Sequence, residues 1–142
     1  MTFVTRREAE RIAAQRRSGA RWEDERIQWF SHAHQPILFV DFSHCSADQV
    51  EKIAHAVPDH ITKQPLGSVR VLSDFTGAAI DRETIRTMKE SAVFDKPYVH
   101  RSAWIGADHF PQDLYLELKG FCGRELPKFR TRQDALQWLI GS

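Results

Sequence analysis

The chain has 142 residues, which is the size of one ordinary domain and enough to bury a real core. Lys and Arg number 20 and Asp and Glu number 19, so the net charge of +1 gives no overall attraction to nucleic acid or to anionic membranes. No apolar run approaches the ~20 residues of a membrane span, and the basic N-terminus has no apolar core behind it, which excludes a secretory signal.

Residues 1–35 predict an N-terminal helical arm. Its basic start is followed by a second helical piece with four large apolar side chains: Trp22, Ile27, Trp29 and Phe30. This is more apolar surface than a solvated tail should show, so we expect it to pack on the domain or on a second copy in a homodimer. The alternative is an Arg-plus-Trp surface for nucleic acid or lipid headgroups, which the acidic run at 23–25 disfavours.

Residues 36–142 predict an α/β domain in which strands and helices alternate. The apolar run at 37–42 is typical of a parallel strand covered on both faces, and three more strands are predicted, at 69–72, 98–105 and 127–130. Helices are predicted after the caps Ser46, Asp81 and Thr131, and a further helix has Pro111 in its first turn. Each crossover can hold a helix, so the sheet should be four-stranded and mostly parallel. The favoured order has the second predicted strand at one edge, followed by the first, the third and the fourth.

Two local features carry predictions of their own. Pro58 lies inside the helix that follows Ser46 and should kink it or begin a new turn, because proline cannot donate to the carbonyl of Ala54. Strict alternation along residues 98–105 places Val99 on the same face as Arg101, Ala103 and Ile105, with Trp104 on the opposite face.

Several segments together point to a known family. They are residues 37–41, 71–77, 96–99, 102–103 and 105–106, followed near the end of the chain by residues 123–124, Phe129 and residues 134–139. From about residue 36 to residue 140 the chain resembles the small bacterial SpoIIAA-like domains, which have the STAS-type fold of anti-sigma-factor antagonists. The resemblance implies a cytoplasmic, non-enzymatic regulatory module that acts through contacts with a protein partner and uses no cofactor.

The resemblance does not extend to the phosphorylation chemistry of that family. Phosphorylated anti-sigma-factor antagonists carry an Asp-Ser pair at the start of the helix after the second of these strands. Here that helix opens Asp81-Arg82-Glu83, with no hydroxyl beside the aspartate, and Thr76 lies upstream in the loop. We therefore expect no phosphorylation switch at the start of this helix.

The candidate site lies where the predicted parallel strands end, because ligands of such sheets bind outside the carboxyl ends of strands. The candidate residues for a partner or a ligand are Asp41, Ser43, Asp74, Thr76, Gly77, Gly106 and Asp108. The acids Asp41, Asp74 and Asp108 at one edge would suit a metal ion or a small polar ligand. Binding of such a ligand is the alternative function. The alternative is that each acid caps its own loop or the next helix.

No catalytic residues and no metal ligands are predicted. His32, His34, His44 and Cys45 form the densest group of possible ligands, but they lack the repeated close pairs of structural zinc motifs. Cys45 also has no histidine and acid nearby in sequence that would mark it as a nucleophile. Two distant cysteines, Cys45 and Cys122, favour a reducing compartment over a disulfide framework.

Overall fold

A computed structural model of the chain describes residues 21–141. In chain order the elements are α1 (Trp22–Glu25), β1 (Ile27–His32), β2 (Gln35–Asp41), α2 (Ala47–Ile61), β3 (Val69–Asp74), α3 (Arg82–Asp95), β4 (Val99–Ile105), α4 (Gln112–Cys122), β5 (Lys128–Phe129) and α5 (Arg132–Leu139). The predicted α/β class with a mostly parallel sheet is confirmed. The first part of the predicted arm, residues 1–20, lies outside the described residues.

The sheet has five strands in the order β1-β2-β3-β4-β5, and it is parallel except for the antiparallel pair β1 and β2. The predicted order was wrong, and so was the number of strands. The first predicted strand, β2, was expected between the second and the third, but β1 already occupies one of its two edges. The other edge of β2 pairs with β3, and β4 and β5 follow outwards in chain order.

Residues 27–32, predicted as part of a helical arm, form strand β1. Among residues 21–35, only Trp22–Glu25 is helical. The hairpin to β2 turns through Ala33 and His34, which both have positive φ (50° and 66°), as a type I′ turn requires. Such turns usually contain Asn-Gly or a similar pair, so this one has no recognisable sequence signal. With the hairpin closed, Ile27 lies opposite Val40 and is buried.

The crossovers from β2 to β5 all run in the same direction, so right-handed connections place α2, α3 and α4 on one face of the sheet. The larger core lies there and includes Leu38, Val40, Ile53 and Phe75. Helix α5 follows β5 and covers the opposite face with a smaller core, formed by Ile37, Leu72, Ala103, Ile105, Ala135, Leu136 and Leu139. The strands alternate between these two cores, which is why both faces of β2 and β3 are apolar.

Of the two outcomes predicted at Pro58, the new start does not occur: helix α2 continues through Pro58 to Ile61, and the amide of Thr62 donates to the Pro58 carbonyl. The predicted alternation along β4 needs correction. In β4, Val99 packs with the larger core, on the Trp104 side of the sheet. The reason is an irregularity in the pairing with β3: Val69 pairs with Val99 but Arg70 pairs with Arg101. One residue, His100, is passed over, and the alternation shifts there.

Candidate functional site at the strand carboxyl ends

Three loops meet at one edge of the sheet, as the sequence predicted. Strands β2 and β3 end side by side, with Asp41 paired to Asp74, and Asp74 is in turn paired to Ile105 at the end of β4. The loops that follow stay hydrogen-bonded to their neighbours: Phe42 donates its amide to the carbonyl of Asp74, and Phe75 donates to that of Ile105. The candidate residues therefore belong to three interlocked loops.

The carboxylate of Asp74 is used by its own loop. Its Oδ1 accepts hydrogen bonds from the backbone amide of Thr76 (2.9 Å) and from the Thr76 hydroxyl (2.7 Å). Such turns, in which an aspartate accepts from the amide two residues on, are common in loops. Asp74 therefore fixes the conformation of its loop, and Thr76 is held by its own hydroxyl while remaining exposed.

Asp41 has the same local role and a second partner. Its Oδ1 accepts from the amide of Ser43 at 2.9 Å, and its Oδ2 lies 3.5 Å from Nη1 of Arg26. The same Nη1 donates to the carbonyl oxygens of Asp41 (3.4 Å) and Ser43 (3.1 Å). Arg26, which the sequence did not single out, thus ties the β2 loop to the segment between α1 and β1.

Two glycines allow the loops to approach closely. Gly106 has φ +67°, and a Cβ at this position would lie 2.1 Å from Oγ1 of Thr76 and 2.6 Å from its backbone nitrogen. Gly77 also has φ +67°, and a Cβ there would lie 2.5 Å from Nδ1 of His44. Glycine is required at both positions by the backbone conformation and by the contact.

His44 was considered only as a zinc ligand, yet it lies in the middle of the loop edge. Its backbone adopts φ 57°, its amide donates to the carbonyl of Thr76 at 2.7 Å, and its ring packs over Gly77. The ring is exposed to solvent. We call the exposed surface formed by His44, Thr76, Gly77, Ala79 and Asp108 the loop ridge.

The three candidate acids do not form a cation site. Between residues 21 and 141 no group of three or more His, Cys, Asp or Glu side chains is placed to hold a metal ion. Asp41 and Asp74 accept from their own loops, as the alternative interpretation predicted, and Asp108 is exposed in the loop after β4. His32, His34, His44 and Cys45 likewise do not converge in this part of the chain. Cys45 is buried, and burial raises the pKa of its thiol, which disfavours the reactive thiolate.

The start of helix α3 is closed by a reciprocal cap. The Asp81 side chain accepts from the amide of Thr84 (2.8 Å), and the Thr84 hydroxyl accepts from the amide of Asp81 (2.9 Å) and donates to its carbonyl (2.7 Å). Thr84 is fully buried. The hydroxyl nearest the helix start is therefore engaged and inaccessible.

The predicted interface residues divide between the two faces of the sheet. Trp22 packs against the larger core under the Arg26 guanidinium, and Ile27 is buried in that core. Phe30 lies on the α5 face, where Arg132 stacks on it, and Trp29 remains 38% exposed on the outermost strand. Much of this apolar surface is therefore covered by the domain itself.

The fold was compared with solved structures. It matches an anti-sigma-factor antagonist (STAS) domain protein from Planctomyces limnophilus with a TM-score of 0.57 and 16% sequence identity, over 81% of this chain and 98% of that one. The chain has a STAS-like fold. At this identity the match establishes the fold alone. No family model matches the sequence, and no curated protein does. In the part of the chain that the structure covers, no helix is long and apolar enough to span a membrane.

Proposed function

We propose that this domain is a regulatory protein-interaction module and that the loop ridge is its contact surface. The observation that supports the proposal most is the ridge itself: backbone hydrogen bonds from Phe42, His44 and Phe75 join the three loops and hold an exposed surface in one shape. The Asp41 and Asp74 carboxylates fix the conformation of their own loops. A surface fixed before binding loses little conformational entropy in a complex. The STAS-like fold agrees with this role, since the matched structure is described as an anti-sigma-factor antagonist domain.

The rival function, a site for a metal or a small polar ligand at the same edge, has less support. The Oδ1 atoms of Asp41 and Asp74 already accept hydrogen bonds from their own loops. A cation would have to compete with these bonds, and with the charge of Arg26 beside Asp41.

Both cysteines are free thiols, which suits the cytoplasmic compartment that we propose for this module.

We propose further that this module is not switched by phosphorylation at the start of α3. Thr84 is buried and its hydroxyl is bonded to Asp81, so a kinase would have to unfold the first turn of the helix to reach it. The protein incubated with ATP and lysate of its own cells should carry no phosphate on residues 82–84 in mass spectrometry. Stoichiometric phosphate on Thr84 would contradict the proposal, and phosphate on exposed Thr76 would indicate a switch moved into the loop.

The contact surface is tested by matched charge substitutions. Ala79→Arg and Asp108→Arg each place a long cation on the loop ridge, whereas Leu66→Arg places the same group on an exposed position (73% accessible) before β3, at the other end of the strands. We expect a partner captured from native lysate by the wild-type protein to be retained by Leu66→Arg and lost with both ridge variants. Equal capture by all three variants would refute the assignment of the ridge.

We also propose that the protein forms a homodimer to which the N-terminal segment contributes. Strand β1 is the outermost strand of the sheet and carries the exposed Trp29, and such an edge readily pairs with another chain. Sedimentation should show a dimer for the full chain and a shift towards monomer for Trp29→Glu. Leu66→Glu is the control and should leave the dimer intact. A monomeric full chain at all concentrations would exclude the dimer.

A further inference from the structure

A cavity of about 120 Å³ lies between the sheet and the three helices that cover its larger core. Its walls are mostly apolar and come from β2, β3 and β4 on one side and from α2, α3 and α4 on the other: Val40, Val71, Trp104, Val57, Met88 and Leu118. It is separate from the loop ridge, of which no residue lines it. Apolar walls that do not pack against one another forfeit contact energy unless something fills the space between them.

One end of the cavity carries a polar group without a partner. Asp95, in the last turn of α3, lines the cavity, and its Oδ1 is buried with no hydrogen-bond partner among residues 21–141. The nearby Arg124 directs its guanidinium to backbone carbonyls, those of Lys96 (3.0 Å) and Val99 (3.4 Å). Burial raises the pKa of Asp95 to about 7, against the lowering effect of the Arg124 charge. An unmet acceptor in an apolar cavity is unusual in a folded protein and needs an explanation.

The size and the charges of the cavity restrict what would fit. An apolar cavity of roughly 150 Å³ is known to hold one benzene molecule, so this one suits a single aromatic ring. A ligand carboxylate would add a second acidic group beside the buried Asp95, and a ligand ammonium would lie near the cations Arg124 and Lys96, which also line the cavity. The walls favour a neutral body, because burying an unpaired charge is expensive. The unmet acceptor requires one hydrogen-bond donor.

We propose that this cavity binds a small neutral aromatic alcohol, whose ring lies against Trp104 and the apolar walls and whose hydroxyl donates to Oδ1 of Asp95. The ligand enters between the C-terminal ends of α3 and α4. Phe121 lines the cavity and is 43% exposed, and Lys96, which also lines it, is exposed as well, so these residues form the mouth. The site is additional to the loop ridge and does not depend on it.

The test uses 4-fluorophenol and 4-fluorotoluene as probes on the full chain, with fluorine NMR as the readout. The two molecules have similar shape, but only the first carries a donor. We expect saturable binding of 4-fluorophenol at millimolar concentration and about tenfold weaker binding of 4-fluorotoluene, because one hydrogen bond to a carboxyl group is lost. Nuclear Overhauser effects from the ring protons should reach the indole of Trp104, which locates the probe without any substitution.

Three variants make the test specific. Ala92→Leu adds volume at a cavity-lining position on α3 and should abolish binding of both probes. Asp95→Ala removes the acceptor and should reduce the preference for 4-fluorophenol from about tenfold to about one while 4-fluorotoluene still binds. Glu90→Ala, an exposed position on the same helix, is the control and should change nothing. Absence of saturable binding to the wild-type protein, or equal affinity for the two probes, would overturn the proposal.

Discussion

The hydroxyl of Ser91 in α3 donates a hydrogen bond to the carbonyl oxygen of Ala54 in α2, at 2.5 Å. In an unbroken helix that carbonyl would accept from the amide four residues later, but the residue there is Pro58, which has no amide hydrogen. Ser91 therefore supplies from a neighbouring helix the donor that α2 lacks. Both residues are buried, so the bond satisfies an acceptor that water cannot reach.

We predict that Ser91→Ala lowers the free energy of unfolding by about 1–3 kcal/mol, the range for a buried acceptor left unsatisfied. Urea denaturation measures the change. The matched background is Pro58→Ala, in which the helix regains its own amide donor to Ala54. In that background Ser91→Ala should have a much smaller effect. Equal effects in both backgrounds would show that Ser91 does not compensate for Pro58.

Trp104 lies in the larger core and is 3% exposed. Its ring packs against Phe75, Phe110 and Tyr115, with ring centroids 4.6 Å, 4.8 Å and 5.4 Å away. We expect Trp104→Ala to lower the free energy of unfolding by about 3–5 kcal/mol in urea, because it opens a large void in this aromatic cluster. A substitution that leaves the urea midpoint unchanged would contradict this packing.

The parts of the fold that follow from local patterns were predicted well. The caps at Ser46, Asp81 and Thr131 and the apolar spacing behind them located α2, α3 and α5. Strand β1 was missed because its evidence is not local. Its six residues form a strand because they pair with β2 across the turn at Ala33 and His34. That turn lacks the residues typical of such hairpins. The error in strand order followed from it, since without β1 both edges of β2 seemed free.

Gly106 and Gly67 offer a matched pair of substitutions. Both have positive φ, +67° and +63°, but a Cβ at Gly67 meets nothing within 4 Å whereas one at Gly106 would collide with Thr76. Gly67→Ala should cost about 1 kcal/mol for the backbone conformation alone. Gly106→Ala should cost at least about 2 kcal/mol more, because the two loops must separate. Thermal or urea unfolding compares them, and equal losses would argue against the close approach.

The buried carboxyl of Asp95 should make stability depend on pH. Burial raises its pKa from an ordinary 3.8 to about 7, so between these values the folded state holds a proton that the unfolded chain releases. The contribution of Asp95 to the free energy of unfolding is therefore greatest below this window and falls as the pH rises through it, by up to about 4 kcal/mol.

Asp95→Asn removes this titration. Relative to the wild-type protein, we expect the variant to gain stability progressively between about pH 4 and about pH 8, with little difference at the acidic end. Urea midpoints at both ends measure the change. The exposed Asp108→Asn serves as the control and should show no such trend. A stability difference independent of pH would mean that Asp95 is ionised in both states across the window.

The candidate site was predictable in position but not in detail. Parallel strands place Asp41 and Asp74 at one edge of the sheet. An aspartate at such a position can either bind a ligand or accept hydrogen bonds from its own loop, and the sequence does not decide between the two. The contacts of Arg26 and His44 depend on how loops distant in sequence fold over one another. The unpaired carboxylate oxygen of Asp95 was not predictable either, because helical spacing places the residue but does not show which donors surround it.

The claim that the loop ridge contacts a partner is tested most directly by photo-crosslinking inside the native cell. A photoreactive phenylalanine analogue replaces Ala79 on the ridge or, in the matched control, Leu66 at the other end of the strands, both of which are exposed. The proposed function predicts a discrete crosslinked protein from position 79 that is absent from position 66 and is lost when Asp108→Arg is added. A product that forms only from position 66, or equally from both, would contradict it.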